Sequence, residues 1–271
     1  MKRTIIGAAV IAVMVTSITT YAATNFQQGN ASNQGTQNLV ATGTKQQVTN
    51  NTAAKANQEE GSIEYSKMTY STDNGSSKSI TETWLNPKTF DLREDINNFG
   101  VAESESKVEK TGDPKKDAKI EATKNRPKYT STYTEDMGKH IVNIIRDDKG
   151  NAVNGNEYDV AQENAKSDVQ GIQKNRTFAA IKASYADPSV WKDAGTETTS
   201  DGKKFKKVQS GDMNGEEMHL LYLNEDGLPV KSEVYVNGKL FGVATTEYKS
   251  LKDDGKIFDT SGVKLQKLEI K

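Results

Sequence analysis

Side chains able to perform acid–base, metal or nucleophilic chemistry are few and scattered in this sequence. It contains two histidines, His140 and His219, and no cysteine. Neither histidine belongs to a His-x-x-x-His pattern, so the spacing of a metal site or a catalytic base is missing, and we interpret both as ordinary strand residues. The lack of cysteine excludes disulfides, thiol catalysis and cysteine-ligated zinc. The sequence predicts no metal, no cofactor and no catalytic residue.

Several carboxylates lie close together in sequence without forming a recognisable site. Asp147-Asp148 and Asp253-Asp254 precede glycine, but they lack the twelve-residue Asp-x-Asp-x-Asp-Gly spacing of a calcium loop, which favours turns. Glu103-Ser104-Glu105 and Glu216-Glu217 have the composition of a glycosidase pair. Carboxylates are so frequent in this chain that we interpret both groups as solvated surface.

A small basic patch surrounds Phe205, formed by Lys203-Lys204 and Lys206-Lys207. The formal net charge is -1 at pH 7. A field this weak excludes nucleic acid as a partner.

Large aromatic and aliphatic side chains are the candidate binding residues, because their strands have a second face that is not plainly polar. They either form core beneath the helices or line an apolar concave face that is partly open to a hydrophobic guest. The candidate ligand-binding residues are Trp84, Phe90, Leu92, Tyr222, Tyr235, Leu240 and Phe241.

The N-terminus has the pattern of an exported protein. Met1-Lys2-Arg3 is basic, Ile5 to Ala23 carries no charge, and Thr20-Tyr21-Ala22 is a small-x-small cleavage site. This pattern predicts a secretory signal peptide over residues 1–23 and a secreted or cell-envelope location. The uncharged run is also nearly long enough to span a bilayer as an uncleaved anchor, which would give the only membrane contact.

Residues 24–61 are dominated by Gln, Asn, Thr, Gly and Ala, which predicts a disordered polar tether. A single domain over residues 62–271 should follow.

Hairpin signals organise this domain. Asn74-Gly75 predicts a two-residue loop that places Thr69 opposite Ile80, Lys67 opposite Glu82, and Tyr65 opposite Trp84. Phe90 to Ile96 should form the third strand, and Tyr129 to Glu135 and His140 to Arg146 the fourth and fifth, with Met137-Gly138 in the turn between the last two.

Asn237-Gly238 predicts a type I′ turn near the end of the chain. It pairs Val236 with Lys239, Val234 with Phe241, and Ser232 with Val243, and it places Tyr235 against Leu240 on the opposite face. After Gly195 the chain should form strands to its end, with a last one through Ile257-Phe258-Asp259.

The helices are expected in the middle of the domain. Apolar residues recur at helical spacing from Tyr158 to about Lys192, with a break near Gly171 and a short last helix after Asp187-Pro188. A further short helix is expected at 114–123. Strands, then helices, then strands again predict an α+β fold with a curved antiparallel sheet wrapped over central helices.

Two segments resemble the LolA/RseB-like lipoprotein-carrier superfamily. The first is Thr83-Trp84-Leu85-Asn86-Pro87-Lys88-Thr89-Phe90-Asp91-Leu92-Arg93, and the second is Leu221-Tyr222-Leu223-Asn224-Glu225-Asp226-Gly227-Leu228-Pro229-Val230-Lys231, followed by Phe258-Asp259-Thr260. The resemblance implies an unclosed half-barrel with an apolar cavity between sheet and helices. It implies binding of acyl chains or of a partner protein and no catalysis, with Arg93 as the one candidate to latch the cavity.

These observations lead to one functional hypothesis and two alternatives. We expect an exported, non-enzymatic envelope protein that holds a hydrophobic ligand or a partner protein on the concave face of its sheet. Similar domains of spore-forming Gram-positive bacteria suggest an envelope or spore-coat role. The alternatives are an envelope hydrolase that uses carboxylates, such as Glu216 and Glu217, and a structural surface or spore-envelope protein.

Overall fold

A twelve-stranded sheet dominates the part of the chain that the computed structural model describes, which is residues 62–72, 75, 77–98, 112–114 and 127–269. These residues belong to one unit, Gly61–Lys271. The signal peptide, the tether and residues 115–123 of the expected short helix lie outside the described residues.

The first half of the sheet comes from consecutive strands. Their bounds are β1 Ser62–Thr72, β2 Lys78–Leu85, β3 Leu92–Asn97, β4 Tyr129–Glu135, β5 His140–Arg146 and β6 Ala152–Asp159. Two helices follow, α1 Gln162–Asn175 and α2 Phe178–Tyr185. The remaining strands are β7 Lys192–Thr198, β8 Lys204–Gly211, β9 Glu217–Leu223, β10 Pro229–Val236, β11 Lys239–Lys252 and β12 Leu265–Lys267.

The strand order is β12-β6-β5-β4-β3-β2-β1-β11-β10-β9-β8-β7. Two antiparallel meanders are therefore joined side by side through β1 and β11, which pair from Ser62↔Lys252 to Thr72↔Gly242. The only parallel pair within this described sheet is β12 with β6. The sheet is curved and unclosed, as predicted, because its end strands β7 and β12 do not pair with each other.

The two helices contact one face of the sheet, which we call the helix face. Register places Glu64, Leu85 and Leu92 in one row on this face. The buried residues of α1 are Ala165, Val169 and Ile172. The two short helices lie on a predominantly β structure; that the sheet encloses them stays a prediction.

The helix boundaries differ from those expected. Gly171 lies within α1, and the break comes at Arg176 and Thr177, where the Thr177 hydroxyl accepts a hydrogen bond from the Ala180 N–H and caps α2. The expected last helix is wrong. Asp187 instead forms a turn in which its carboxylate accepts from the Ser189 N–H at 2.9 Å, and β7 starts directly after the buried Trp191.

The opposite face is partly covered by the C-terminal segment Asp253–Lys267, which we call the strap. Val263 and Leu265 of the strap pack against a buried cluster of Tyr133, Val142 and Ile144. We call this sheet surface the strap face. The strand expected through Ile257-Phe258-Asp259 is wrong, because these residues form turns within the strap.

The first predicted register is confirmed. Tyr65 pairs with Trp84, Lys67 with Glu82, and Thr69 with Ile80. The turn at Met137-Gly138 is also present, with both residues in the left-handed region.

The second predicted register is only partly right. Val236 pairs with Lys239 and Tyr235 with Leu240, and Asn237 and Gly238 have the positive φ of a type I′ turn. A bulge then shifts the register, so that Val234 pairs with Gly242 rather than with Phe241. Lys231 pairs with Thr245 and Ser232 with Ala244 for the same reason.

Candidate binding surface

One row of side chains crosses five neighbouring strands on the strap face. Successive pairings join Lys249 to Tyr65, Tyr65 to Trp84, Trp84 to Arg93, and Arg93 to Tyr133. We call these five residues the aromatic–cation row. The Tyr65 and Trp84 ring centroids are 5.3 Å apart, in the range of favourable aromatic pairs.

Arg93 is the fixed point of the row. Its guanidinium carbon lies 4.6 Å from the centre of the Trp84 ring and 5.3 Å from that of Tyr133. Nε and Nη2 donate to the two carboxylate oxygens of Asp95 at 3.1 and 2.7 Å, and Nη1 donates to the Ile257 carbonyl of the strap at 3.1 Å. The planar Arg93 guanidinium is held by Asp95 and by the Ile257 carbonyl. Because it also contacts the Trp84 ring, it fixes that ring in one orientation.

Tyr65 is fixed from the neighbouring strand. Its hydroxyl donates to the Glu82 carboxylate, whose other neighbour is Lys67 at 3.8 Å. Burial and the bond to Glu82 raise the pKa of Tyr65, so the hydroxyl stays a neutral donor.

Arg146 supports the covered end of the row. It donates to the Ser131 hydroxyl, to the Gly150 carbonyl at 2.9 Å and to the Tyr133 hydroxyl at 3.2 Å. The row therefore runs from Tyr133, only 2% exposed beneath the strap, to Lys249, whose side chain is 57% exposed.

A second cluster on the strap face surrounds Glu233. The Tyr235 and Tyr222 hydroxyls donate to its carboxylate at 2.8 and 3.3 Å, and Lys231 Nζ lies 2.6 Å away. Burial alone would raise the pKa of Glu233, but these three donors outweigh it and lower the pKa. Lys231 also lies 4.5 Å from the centre of the Tyr222 ring.

The seven candidate ligand-binding residues do not form one patch. Trp84 belongs to the aromatic–cation row, and Tyr222 and Tyr235 belong to the Glu233 cluster. Leu92 is 4% exposed on the helix face, and Phe90 lies in the β2–β3 turn with φ +60°. Leu240 pairs with Tyr235, and Phe241 lies at the bulge. That these residues bind a ligand stays a prediction.

Both histidines lie in strands and have carboxylate partners. His140 Nδ1 is 2.9 Å from Asp159, and Nε2 is 3.5 Å from Glu157. His219 contacts Glu217, a residue of the hypothetical hydrolase pair. No cluster of three or more His, Asp or Glu able to hold a metal ion occurs within the described ranges.

The sequence did not predict Tyr133 of the row, nor Asp95 and Arg146, which contact it. Tyr133, Asp95 and Arg146 lie on three different strands, and only the pairings of β3, β4 and β5 bring them together. The available signal was the parity of Arg93 and Asp95, which share one face of β3.

Comparisons with known proteins give no family. No protein-family model and no curated protein matches the chain. A crystal structure of an uncharacterized conserved protein from Thermus thermophilus has 10% identity and a TM-score of 0.37 over 76% of this chain and 90% of that one. A crystal structure of MucB in complex with MucA(peri) has 14% identity and a TM-score of 0.33 over 72% of this chain and 53% of that one. Both likenesses are too distant to support an argument, so the LolA/RseB-like family stays a prediction.

Helices α1 and α2 are both too short or too polar to cross a bilayer, and this holds for every helix among the described residues.

Proposed function

We propose that this chain is an exported, non-catalytic binding protein of the cell envelope that holds a segment of a partner protein on its strap face. The observation that supports it best is the partly exposed Trp84 ring, which is held between the buried Tyr65 ring and Arg93. Tyrosine, tryptophan and arginine are the residues that dominate binding energy at protein interfaces. Rings already held in place lose little conformational freedom when a partner binds.

The chemistry of the strap face favours a protein segment over an acyl chain. An acyl chain gains about 0.8 kcal/mol for each methylene it buries, and this gain requires a continuous apolar lining. Four Lys–Glu pairs interrupt the face instead. They are Lys67–Glu82, Lys249–Glu247, Lys231–Glu233 and Lys207–Glu197.

Apolar side chains on the helix face already have partners within the protein. Trp191, Val208, Leu221 and Leu223 form one buried cluster, against which Tyr185 of α2 packs. An acyl chain at this place would have to displace α2.

The test is a comparison of the full chain with Trp84→Ala as baits for envelope extracts, followed by affinity measurement with each purified partner. Removal of a central tryptophan from an interface costs about 2 kcal/mol or more, which lowers affinity by about 30-fold. Val190→Ala is the matched control, because Val190 is 50% exposed in the turn before β7. Equal affinity of the wild type and Trp84→Ala for every partner would contradict the proposal.

A fluorescent fatty acid titrated into the same three proteins distinguishes the lipid alternative. We expect no saturable binding. If the fatty acid binds saturably and Trp84→Ala does not change this binding, the protein binds lipid at a different, apolar site.

A further inference from the structure

The outer edge of β6 is only partly used. β6 has eight residues, Ala152–Asp159, and β12 pairs with Gly155, Asn156 and Glu157 alone. Ala152, Val153 and Asn154 are exposed, and Val153 is 64% exposed. An edge strand with free backbone groups is a template for another strand.

β12 is held weakly for a strand that covers an apolar surface. It has three residues and forms the parallel pair of the described sheet, the less stable kind of pairing. Its ion pair joins Lys267 to Asp159 at 3.6 Å, with side chains 69% and 61% exposed, so solvent screens most of its energy.

The strap shows which side chains fit this place. Val263 and Leu265 pack on the Tyr133, Val142 and Ile144 cluster. A Cβ built on Gly155 would lie 2.7 Å from Leu265 Cδ2, so the side chain of residue 265 fills the space that glycine leaves. Lys267 then reaches Asp159, beside Glu157 and His140. The pattern is apolar-x-apolar-x-cation, and its last three residues form the strand β12.

We propose that the β6 edge and the apolar cluster beneath the strap accept an extended peptide of a partner protein with this apolar-x-apolar-x-cation pattern, which replaces β12. The partner strand can form more backbone hydrogen bonds with β6 than β12 does, because it also pairs along Ala152–Asn154, where the strap leaves the edge free. Binding by strand addition takes its affinity from backbone hydrogen bonds and its specificity from alternate side chains. A second copy of the chain is a poorer occupant, because the linker from β11 to β12 has twelve residues, whereas domain swapping is favoured by short connections.

The probe is a fluorescein-labelled peptide of residues 260–269 that carries Gly262→Val, a change that favours the extra strand pairing. The control peptide carries Val263→Ser and Leu265→Ser in addition. Each is titrated into the full chain and into the full-length variant Leu265→Ser, whose strap is loosened. Because the strap competes for the same edge, we expect the variant to bind the probe about tenfold more tightly than the wild type, and neither to bind the control peptide.

Hydrogen exchange locates the peptide and keeps the test valid if Leu265→Ser fails to fold. In the wild type, a saturating probe should slow exchange of the amides of residues 152–154. The proposal is overturned if the probe binds neither the wild type nor a folded Leu265→Ser variant. It is also overturned if the probe binds but does not protect these amides. Trp84→Ala should still bind the probe and protect these amides, because this surface does not include the open part of the aromatic–cation row, so the two proposals fail separately.

Discussion

Two buried carboxylates on the helix face attach the junction between the helices to the sheet. Glu64 of β1 accepts from the Phe178 N–H at 2.7 Å, and Glu94 of β3 lies 3.2 Å from Arg176 Nη1. They are 4% and 3% exposed, and burial raises the pKa of both. Each carboxylate therefore costs free energy when it ionises, and its partner offsets only part of this cost.

We predict that Glu64→Gln changes the pH dependence of stability. From the ordinary pKa of 4.5 up to the raised pKa, folded Glu64 holds a proton that the unfolded chain has released, so the free energy of unfolding falls as pH rises. Glutamine keeps an acceptor for the Phe178 N–H and does not titrate. The variant should therefore gain stability relative to the wild type as the pH rises above the ordinary pKa of 4.5, as measured by urea unfolding.

Glu247→Gln is the control for this prediction. Glu247 pairs with Lys249 on the surface, and its side chain is 65% exposed. This change should alter the free energy of unfolding by less than about 0.5 kcal/mol. A constant difference for Glu64→Gln would show that its burial does not control the titration.

Arg93 provides a second prediction. Lysine cannot reproduce the paired bonds to Asp95 or the planar contact with the Trp84 ring. Arg93→Lys should lower the free energy of unfolding by about 1.5–3 kcal/mol in urea titrations. Lys67→Arg, in an exposed pair of the same face, should change it by less than about 0.5 kcal/mol. An equal effect of the two changes would mean that Arg93 is not the fixed point of the row.

At the scale of strands and turns, Gly242 of β11 lies where the bulge begins, and its missing side chain leaves room for Tyr70. A Cβ built on Gly242 would lie 2.5 Å from the Tyr70 hydroxyl and 2.7 Å from Tyr70 Cε2. Only glycine allows Tyr70 of β1 to pack across β11 at this point.

We therefore predict that Gly242→Ala destabilises the protein by about 1–3 kcal/mol, the usual cost of overpacking. Gly171→Ala is the matched control, because a Cβ at Gly171 meets no atom within 4 Å. In the interior of α1 this change should stabilise by about 0.5–1 kcal/mol. Thermal unfolding of both variants checks the signs, and a stable Gly242→Ala protein would contradict the steric account.

The sequence was informative where a turn defines the register. Asn74-Gly75 led to the pairing of Tyr65 with Trp84, and Asn237-Gly238 to that of Tyr235 with Leu240. The register predicted from the sequence was wrong at Gly242. The close approach of Tyr70 to this glycine cannot be predicted from local sequence, because Tyr70 is distant in the chain. The same limit applies to Arg176 and Glu94, whose contact depends on where α1 ends over the sheet.

β6 was missed because its own residues disfavour a strand. Asn154, Gly155, Asn156 and Asp159 have low β-propensity. β6 forms because β5 is apolar on both faces, with Ile141, Val142 and Ile144 buried, and needs a neighbour on its free side. Tertiary pairing here overrides local preference.

At the scale of the whole molecule, the sheet depends on one long-range seam. β1–β6 and β7–β11 are each built from neighbours in sequence, and among the described strands only the pair of β1 with β11 joins them. The prediction that the two groups of strands join in a single bent sheet is therefore confirmed. The local sequence pattern did not predict that β1 pairs with β11.

We predict that removal of residues 1–60 leaves this sheet intact. The paired strands begin at Ser62, within the unit Gly61–Lys271. The truncated protein should unfold at the same temperature and with the same urea dependence as the full chain. A lower unfolding temperature would show that the polar segment contributes to the folded state. Intact mass of the exported protein, with Thr24 as the expected first residue, separately tests the signal peptide.

The position of β1 has a mechanical consequence. It is the seventh of the twelve strands in the described sheet, and residues 1–61 precede it in the sequence. A load applied through that attachment acts along β1 and shears its hydrogen bonds to β2 and to β11 together, rather than peeling them one by one. A protein pulled by its N-terminus would thus load two antiparallel strand pairs at once.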